Sequence, residues 1–273
     1  MCCFSGEVDH VGATRIFTRH VEEGRQAVAY AMSFGATADV AMLLPIPTPA
    51  GSPEDAVRFV DLSGDPHFFD HLDRLFPPPP ASRGNRSDDA PLTPAPLEVH
   101  QVGAFEASFV PTLADMSRLD ARFRLPEGAW QVLARRGSRE QVLPRLTQAQ
   151  WDALPNYSDW GFCVFKLRAG ADQQVHPMAF TFPTRWPRRL FFPTVHVHDG
   201  TFPLEAGFDH TLYLQTNLAL DGRAAVEWEE SRGPAHAAMD VAATQGLVNG
   251  AEHVYRLRVR GPRPNADVVV ATA

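Results

Sequence analysis

Lysine is almost missing from this chain: Lys166 is the only one, so 24 of the 25 basic residues are arginine. That usage, with 24 prolines and abundant alanine, reflects a GC-rich bacterial genome rather than an activity. Cysteine is nearly as scarce, with 3 in 273 residues. Cys2 and Cys3 are adjacent and Cys163 lies in an apolar run, which excludes the disulfide framework of a small secreted domain. No apolar run approaches the roughly 20 residues a bilayer-spanning helix needs, so a helical integral membrane protein is excluded. A basic excess is missing too: the formal charge of -7 and pI near 5.9 offer no cationic surface for phosphates, and no nucleic-acid partner is expected. Met1 to Glu7 lack a basic segment followed by an apolar core, so a cytoplasmic location without a membrane partner is expected. Gly-X-Gly-X-X-Gly, phosphate-loop and Gly-X-Ser-X-Gly patterns do not occur, which removes support for nucleotide-dependent and serine-hydrolase chemistry.

What is present is β-rich. Short apolar runs at 2–8, 14–20, 25–34, 40–46 and 56–62 are separated by Gly, Asp, Glu and Pro, and read as an antiparallel meander. Asp65-Pro66 has the form of a helix start, and Phe68, Phe69, Leu72 and Phe76 continue at helical spacing. Residues 77–96, with four consecutive prolines and Ser-Arg-Gly-Asn-Arg-Ser-Asp-Asp, have too little apolar content to offset the entropy of ordering and read as a flexible surface loop. Beyond it come a β run at 97–110, helices over 114–123 and within 130–154, and four β runs at 161–167, 175–182, 190–198 and 208–215, expected to form one antiparallel sheet. An Ala-rich helix is expected at 234–248 and further strands at 254–259 and 268–271. The fold class is therefore α+β, built as two similar halves of antiparallel meander plus helices. The expected division is 1–76, the loop 77–96, and 97–273 carrying the site, with the first and last parts in one compact unit.

The chemistry concentrates in Thr194-Val195-His196-Val197-His198-Asp199-Gly200 and in Asp209-His210. Alternation along a strand puts His196 and His198 on one face, and a hairpin through 200–207 would return His210 beside them. Three imidazoles with a fourth position open suit a transition metal, zinc first and copper or iron as alternatives. His176 on the preceding β run is the candidate fourth ligand, and Asp199 or Asp209 the carboxylate that orients an imidazole. Metal-activated water attacking an amide or ester of a small molecule or peptide is then the economical reaction. A non-catalytic metal or small-ligand carrier fits the same residues. The cupin pattern also uses His-X-His, but its glycine several residues before the first His is absent, and Glu205 lies too far beyond His198.

Cys2 offers a second chemistry. Removal of Met1 would expose an amine able to act as base for its own thiol, and in this respect Met-Cys resembles the start of N-terminal nucleophile amidohydrolases. Two sheets between helical layers would be implied, whereas the first half here shows one clear helix. His67 and His71 share a helix face at i, i+4, yet without a Glu after His67 they lack the metalloprotease pattern and read as exposed polar residues.

Several segments together resemble a group of bacterial proteins that open with Met-Cys-Cys-Phe-Ser: Cys2 to Ser5, Asp39 to Pro47, Glu54 to Phe59, Gly161 to Leu167, His176 to Phe180, Thr194 to Gly200 and Phe208 to His210. The Ala-Met-Leu-Leu-Pro-Ile-Pro strand is more remotely similar to a broader bacterial domain family of unknown function. The resemblance implies an intact domain and supplies no reaction.

Overall fold

A computed structural model describes residues 2–22, 24–77, 106–125, 127–135, 138, 147–197, 202–220 and 226–272. The expected loop at 77–96 lies outside these residues apart from Pro77. The strands are β1 (Cys2–Phe4), β2 (His10–Glu22), β3 (Arg25–Ala36), β4 (Val40–Ile46), β5 (Arg58–Val60), β6 (Ala107–Val110), β7 (Gly161–Leu167), β8 (Gly170–Gln174), β9 (Met178–Pro183), β10 (Arg189–Phe192), β11 (His196–Val197), β12 (Glu205–Gln215), β13 (Glu229–Pro234), β14 (His253–Pro264) and β15 (Val268–Ala271). The helices are α1 (Phe68–Arg74), α2 (Glu127–Leu133) and α3 (Gln148–Ala153), none of them long and apolar enough to cross a membrane.

Three sheets result. One has the order β11-β1-β4-β7-β6, a larger one runs β13-β14-β12-β2-β3-β9-β5 with β8 also on β3, and β10 pairs with β15. The fold is thus β-rich with few helices, as its class predicts, but its pairing is mixed: β1 runs parallel to β11, and β2 parallel to β12. Strands from 1–76 and 97–273 interleave in both large sheets, so a meander-plus-helix unit in each half does not describe the topology. The four β runs of the second half likewise separate, β7 into one sheet, β9 and β12 into another, and β10 into the third.

Alternation on β3 shows how the layers form. Val28, Tyr30, Met32 and Phe34 enter the core between the two large sheets, where Phe34 stacks on Phe4 with ring centroids 5.6 Å apart. Ala27, Ala29 and Ala31 face the opposite side. Their small side chains leave room for α1, which buries Phe68, Phe69 and Leu72 there, and Phe68 meets Phe17 edge-on at 5.6 Å. A strand buried on both faces reads as a continuous apolar run, and β3 does. Arg256 of β14, only 3% exposed, anchors this layer: it reaches Glu229 at 2.7 Å and Asp73 at 3.0 Å, and lies 4.1 Å over the Phe76 ring.

The Ala-rich stretch 234–248 forms no α-helix. Pro234 ends β13, and short 3₁₀ turns follow at Ala235–Ala237 and Ala242–Thr244. Gln245 and Gly246 then take φ of 50° and 83°, which helix cannot continue through. Ala235 and His236 N–H groups donate to Glu252 and Gly250 carbonyls, so tertiary pairing overrides alanine's helical preference.

Candidate functional site

On β12, alternation places Phe208, His210, Leu212 and Leu214 inward, and His210 is 1% exposed. Its strand is central, set against Thr14 of β2 on one side and Val259 of β14 on the other. His196 is buried on β11 and meets this row. The His196 and His210 ring centroids lie 5.0 Å apart, and Phe208 touches both, at 4.7 Å and 5.1 Å. Two of the expected imidazoles therefore converge, with the Phe208 ring against both.

His176 does not join this pair. His176 lies beyond two intervening strands, because His210 opposes β2, β2 opposes β3, and the Met32 carbonyl of β3 accepts from Val175 N–H. Three strand spacings of about 4.8 Å separate the two positions by about 14 Å, too far for a shared ion. Asp209 points away from His210, as alternation requires: its carboxylate lies 3.0 Å from Arg260 Nε and accepts the Ala13 N–H at 3.0 Å. That carboxylate holds the bulge where Ala13 adopts a φ of 47°. His198 and Asp199 lie outside the described residues. Among the described residues no group of three or more His, Cys, Asp or Glu side chains is arranged to hold a metal. His67 and His71 serve α1 locally, His67 Nδ1 at 3.3 Å from Asp70 and His71 Nδ1 at 3.0 Å from Asp65.

The backbone register joins the two chemistries that sequence reasoning kept apart. β1 runs beside β11 with Cys2 opposite His196 and Cys3 opposite Val197. Opposed residues of a parallel pair occupy the same face of the pleat, so positions 2 and 196 share one face. Cys3 and Cys163 are both buried, and burial pushes the Cys163 thiol well up, leaving it an inert core residue.

What holds His196 in place is the turn between β14 and β15. The buried Asn265 side chain accepts the His196 N–H through Oδ1 at 2.7 Å and donates through Nδ2 to the His196 carbonyl at 2.9 Å and the Pro203 carbonyl at 2.8 Å. It thereby substitutes for a neighbouring strand on the side of β11 away from β1. Asp267 does the same one step earlier: Oδ1 accepts the Thr194 and Val195 N–H groups at 2.8 and 3.1 Å, and Oδ2 accepts the Tyr157 hydroxyl at 2.5 Å. Part of Asp267 retains accessible surface, yet dense protein around its carboxyl pushes the pKa up, against the opposing effect of these donors. Burial, with the neighbouring Asp267 charge, pushes the Tyr157 hydroxyl well above its ordinary value. Sequence reading passed over Asn265, Asp267 and Tyr157. The available signal was Asn265-Ala266-Asp267, a polar tripeptide between two apolar β runs, which looks the same as any solvated turn.

No protein-family model matches the chain, and no curated protein does. Among solved structures the chain is similar to baculovirus P35, with a TM-score of 0.50 and 13% identity over 99% of both chains. The P35 of a caspase-8/P35 complex is similar with a TM-score of 0.42 and 12% identity over 96% of each chain. At this identity the likeness to P35 is one of fold.

Proposed function

We propose that this chain is a substrate-like binding partner of a cysteine protease of the caspase type, engaged through the segment between Pro77 and Glu106. The observation that carries the reading is the likeness to P35 along the whole of both chains. P35 is a protein that other structures present after caspase cleavage and in complex with caspase-8. The sequence adds chemistry of its own. A protease needs an accessible stretch of substrate, and 77–96 has the composition of one, with Ser87-Asp88-Asp89-Ala90 offering the aspartate after which caspases cut. Both flanks are anchored: α1 buries Phe68, Phe69 and Leu72, and β6 pairs with β7 from Ala107 to Val110. A chain cut between them leaves two fragments whose strands alternate within both large sheets, so cleavage does not by itself part them.

The test is to incubate the full chain with active caspase-8, to follow cleavage by intact mass and to measure residual hydrolysis of a fluorogenic aspartyl substrate. The reading expects a single cut after Asp88 or Asp89 with lasting loss of protease activity, and neither in the D88N/D89N double variant. A chain that stays intact while the protease keeps full activity, for caspase-8 and for bacterial caspase-like proteases alike, refutes it.

A second reading follows from the register of β1 on β11. We propose as this second chemistry that, with Met1 removed, a cysteine at position 2, paired in backbone register with His196, carries out covalent acyl transfer: the imidazole takes the thiol proton, the thiolate attacks a carbonyl carbon, the leaving amine or alcohol departs with that proton, and water hydrolyses the thioester. Intact mass reports Met1 removal. Iodoacetamide should then label native protein at position 2, and labelling should slow at least about tenfold in His196→Ala as the thiolate fraction falls. Equal rates in the two proteins rule out His196 as the base.

A further inference from the structure

We infer that His196, His210 and the cysteine at position 2 bind one divalent transition-metal ion of the zinc class. Two of these donors converge as side chains: the His196 and His210 ring centroids lie 5.0 Å apart, with the ring planes inclined at 70°. Two imidazoles on one tetrahedral ion, each nitrogen about 2.0–2.1 Å from it, hold their ring centres about 5 Å apart. Parallel stacked rings could not aim in-plane nitrogens at one point, and these rings are far from parallel.

Among the described side chains no third donor joins them, and the backbone register supplies one. Cys2 pairs with His196 in a parallel ladder, so positions 2 and 196 share a face, with about 4.8 Å between their strands. His196 and His210 are 7% and 1% exposed, so an ion held between them gives up most of its water. A thiolate supplies the negative charge that a buried dication needs and that two neutral imidazoles lack. Sulfur with two ring nitrogens selects zinc, cobalt or copper over calcium and magnesium, which take oxygen. The fourth tetrahedral position is left to water.

The backbone that carries both rings is fixed. Asn265 holds the N–H and the carbonyl of His196, and the His210 carbonyl accepts from Arg260 Nη1 within a strand paired on both edges. Phe208 packs against both rings, at 4.7 Å and 5.1 Å, and restricts their rotation. Side chains already ordered lose little entropy on binding. An ion here would tie β11 of the five-stranded sheet to β12 of the larger one. The site shares its register with the acyl-transfer chemistry above and requires no reaction.

The experiment titrates the untagged, reduced full chain with Co²⁺. One equivalent should produce the intense visible bands of tetrahedral cobalt together with a sulfur-to-cobalt charge-transfer band. Cys2→Ser should abolish the charge-transfer band. His196→Phe and His210→Phe keep an aromatic ring beside Phe208 and lose the nitrogens. Each should weaken Co²⁺ binding by at least about a hundredfold, the upper end of what losing a group that only orients a ligand costs. Should either Phe variant fail to unfold cooperatively in urea, the wild type decides through protection: one equivalent of Zn²⁺ should slow iodoacetamide labelling at position 2 by about tenfold or more. No tetrahedral spectrum, a spectrum without the charge-transfer band, or Co²⁺ affinity unchanged in a folded His196→Phe or His210→Phe overturns the site. Labelling that depends on His196 in the presence of EDTA but is indifferent to Zn²⁺ refutes the metal site while leaving the acyl-transfer reading intact.

Discussion

Replacing Asn265 by Ala tests whether one side chain stands in for a missing strand beside His196. In the wild type it satisfies the N–H and carbonyl of His196 and the carbonyl of Pro203. Pro203 is exposed, so its carbonyl turns to water at little cost. The two His196 groups are buried, and each unsatisfied buried group costs about 1–3 kcal/mol. The expected loss is about 3 kcal/mol, which lowers Tm by about 6–12 °C in a protein of this size. Asn265→Asp is the sharper control. It keeps the acceptor for the His196 N–H but sets a carboxylate against two carbonyl oxygens, so it should be at least as destabilising although it is nearly isosteric. Urea unfolding gives the stability, and hydrogen exchange at His196 N–H gives the local effect. If Asn265→Ala lies within 1 kcal/mol of wild type, or Asn265→Asp is the more stable protein, Asn265 is not what holds β11.

Asp267 supplies a prediction in pH. Its folded pKa is raised by burial, so between the unfolded value of about 3.9 and the folded value the native state holds more protons than the unfolded one. Stability therefore falls as pH rises through that window, and Asp267→Asn, which cannot ionise, should show less of this fall in urea unfolding at stepped pH; parallel profiles for the two proteins would contradict it. Iodoacetamide should leave Cys3 and Cys163 unmodified in the native chain and label both after unfolding, as read by peptide mass. Gly161→Ala should destabilise by about 1–3 kcal/mol, because the added methyl would lie 2.6 Å from the Phe109 ring and 2.7 Å from Thr48 Oγ1; Cm in urea checks it. Arg256→Met should cost about 2 kcal/mol, less than a fully buried pair because Asp73 and Glu229 are nearly half exposed and can turn to water, and that cost should shrink in molar salt.

Strand positions were legible where alternation or a continuous apolar run was strong. β4, β7 and β15 occupy the expected residues, and β2, β3, β12 and β14 lie within a few residues of theirs. Which strand sits beside which was not legible, because a β run carries its face pattern but not the identity of its neighbour. The parallel partners β1–β11 and β2–β12 are each separated by more than two thirds of the chain and leave no local trace. At the candidate site, His196 and His210 do come together, but from strands of two different sheets and not as the hairpin neighbours that the sequence suggested. His176 was misplaced because a single antiparallel sheet was assumed, and β9 instead joined β3 and β5. Asn265 and Asp267 act through backbone groups of another segment, a role that residue type alone does not announce.

The position of β1 also dictates an order of events during synthesis. It is an interior strand, flanked by β4 and β11, yet β11 begins only at His196; β2 waits similarly for β12. A nascent chain emerging at several residues per second carries both early strands with one edge unpaired for tens of seconds, open to association with other chains. Refolding from denaturant avoids that interval but still needs the same distant closures, so it should be slow, in the millisecond-to-second range or beyond, and its yield should fall as protein concentration rises.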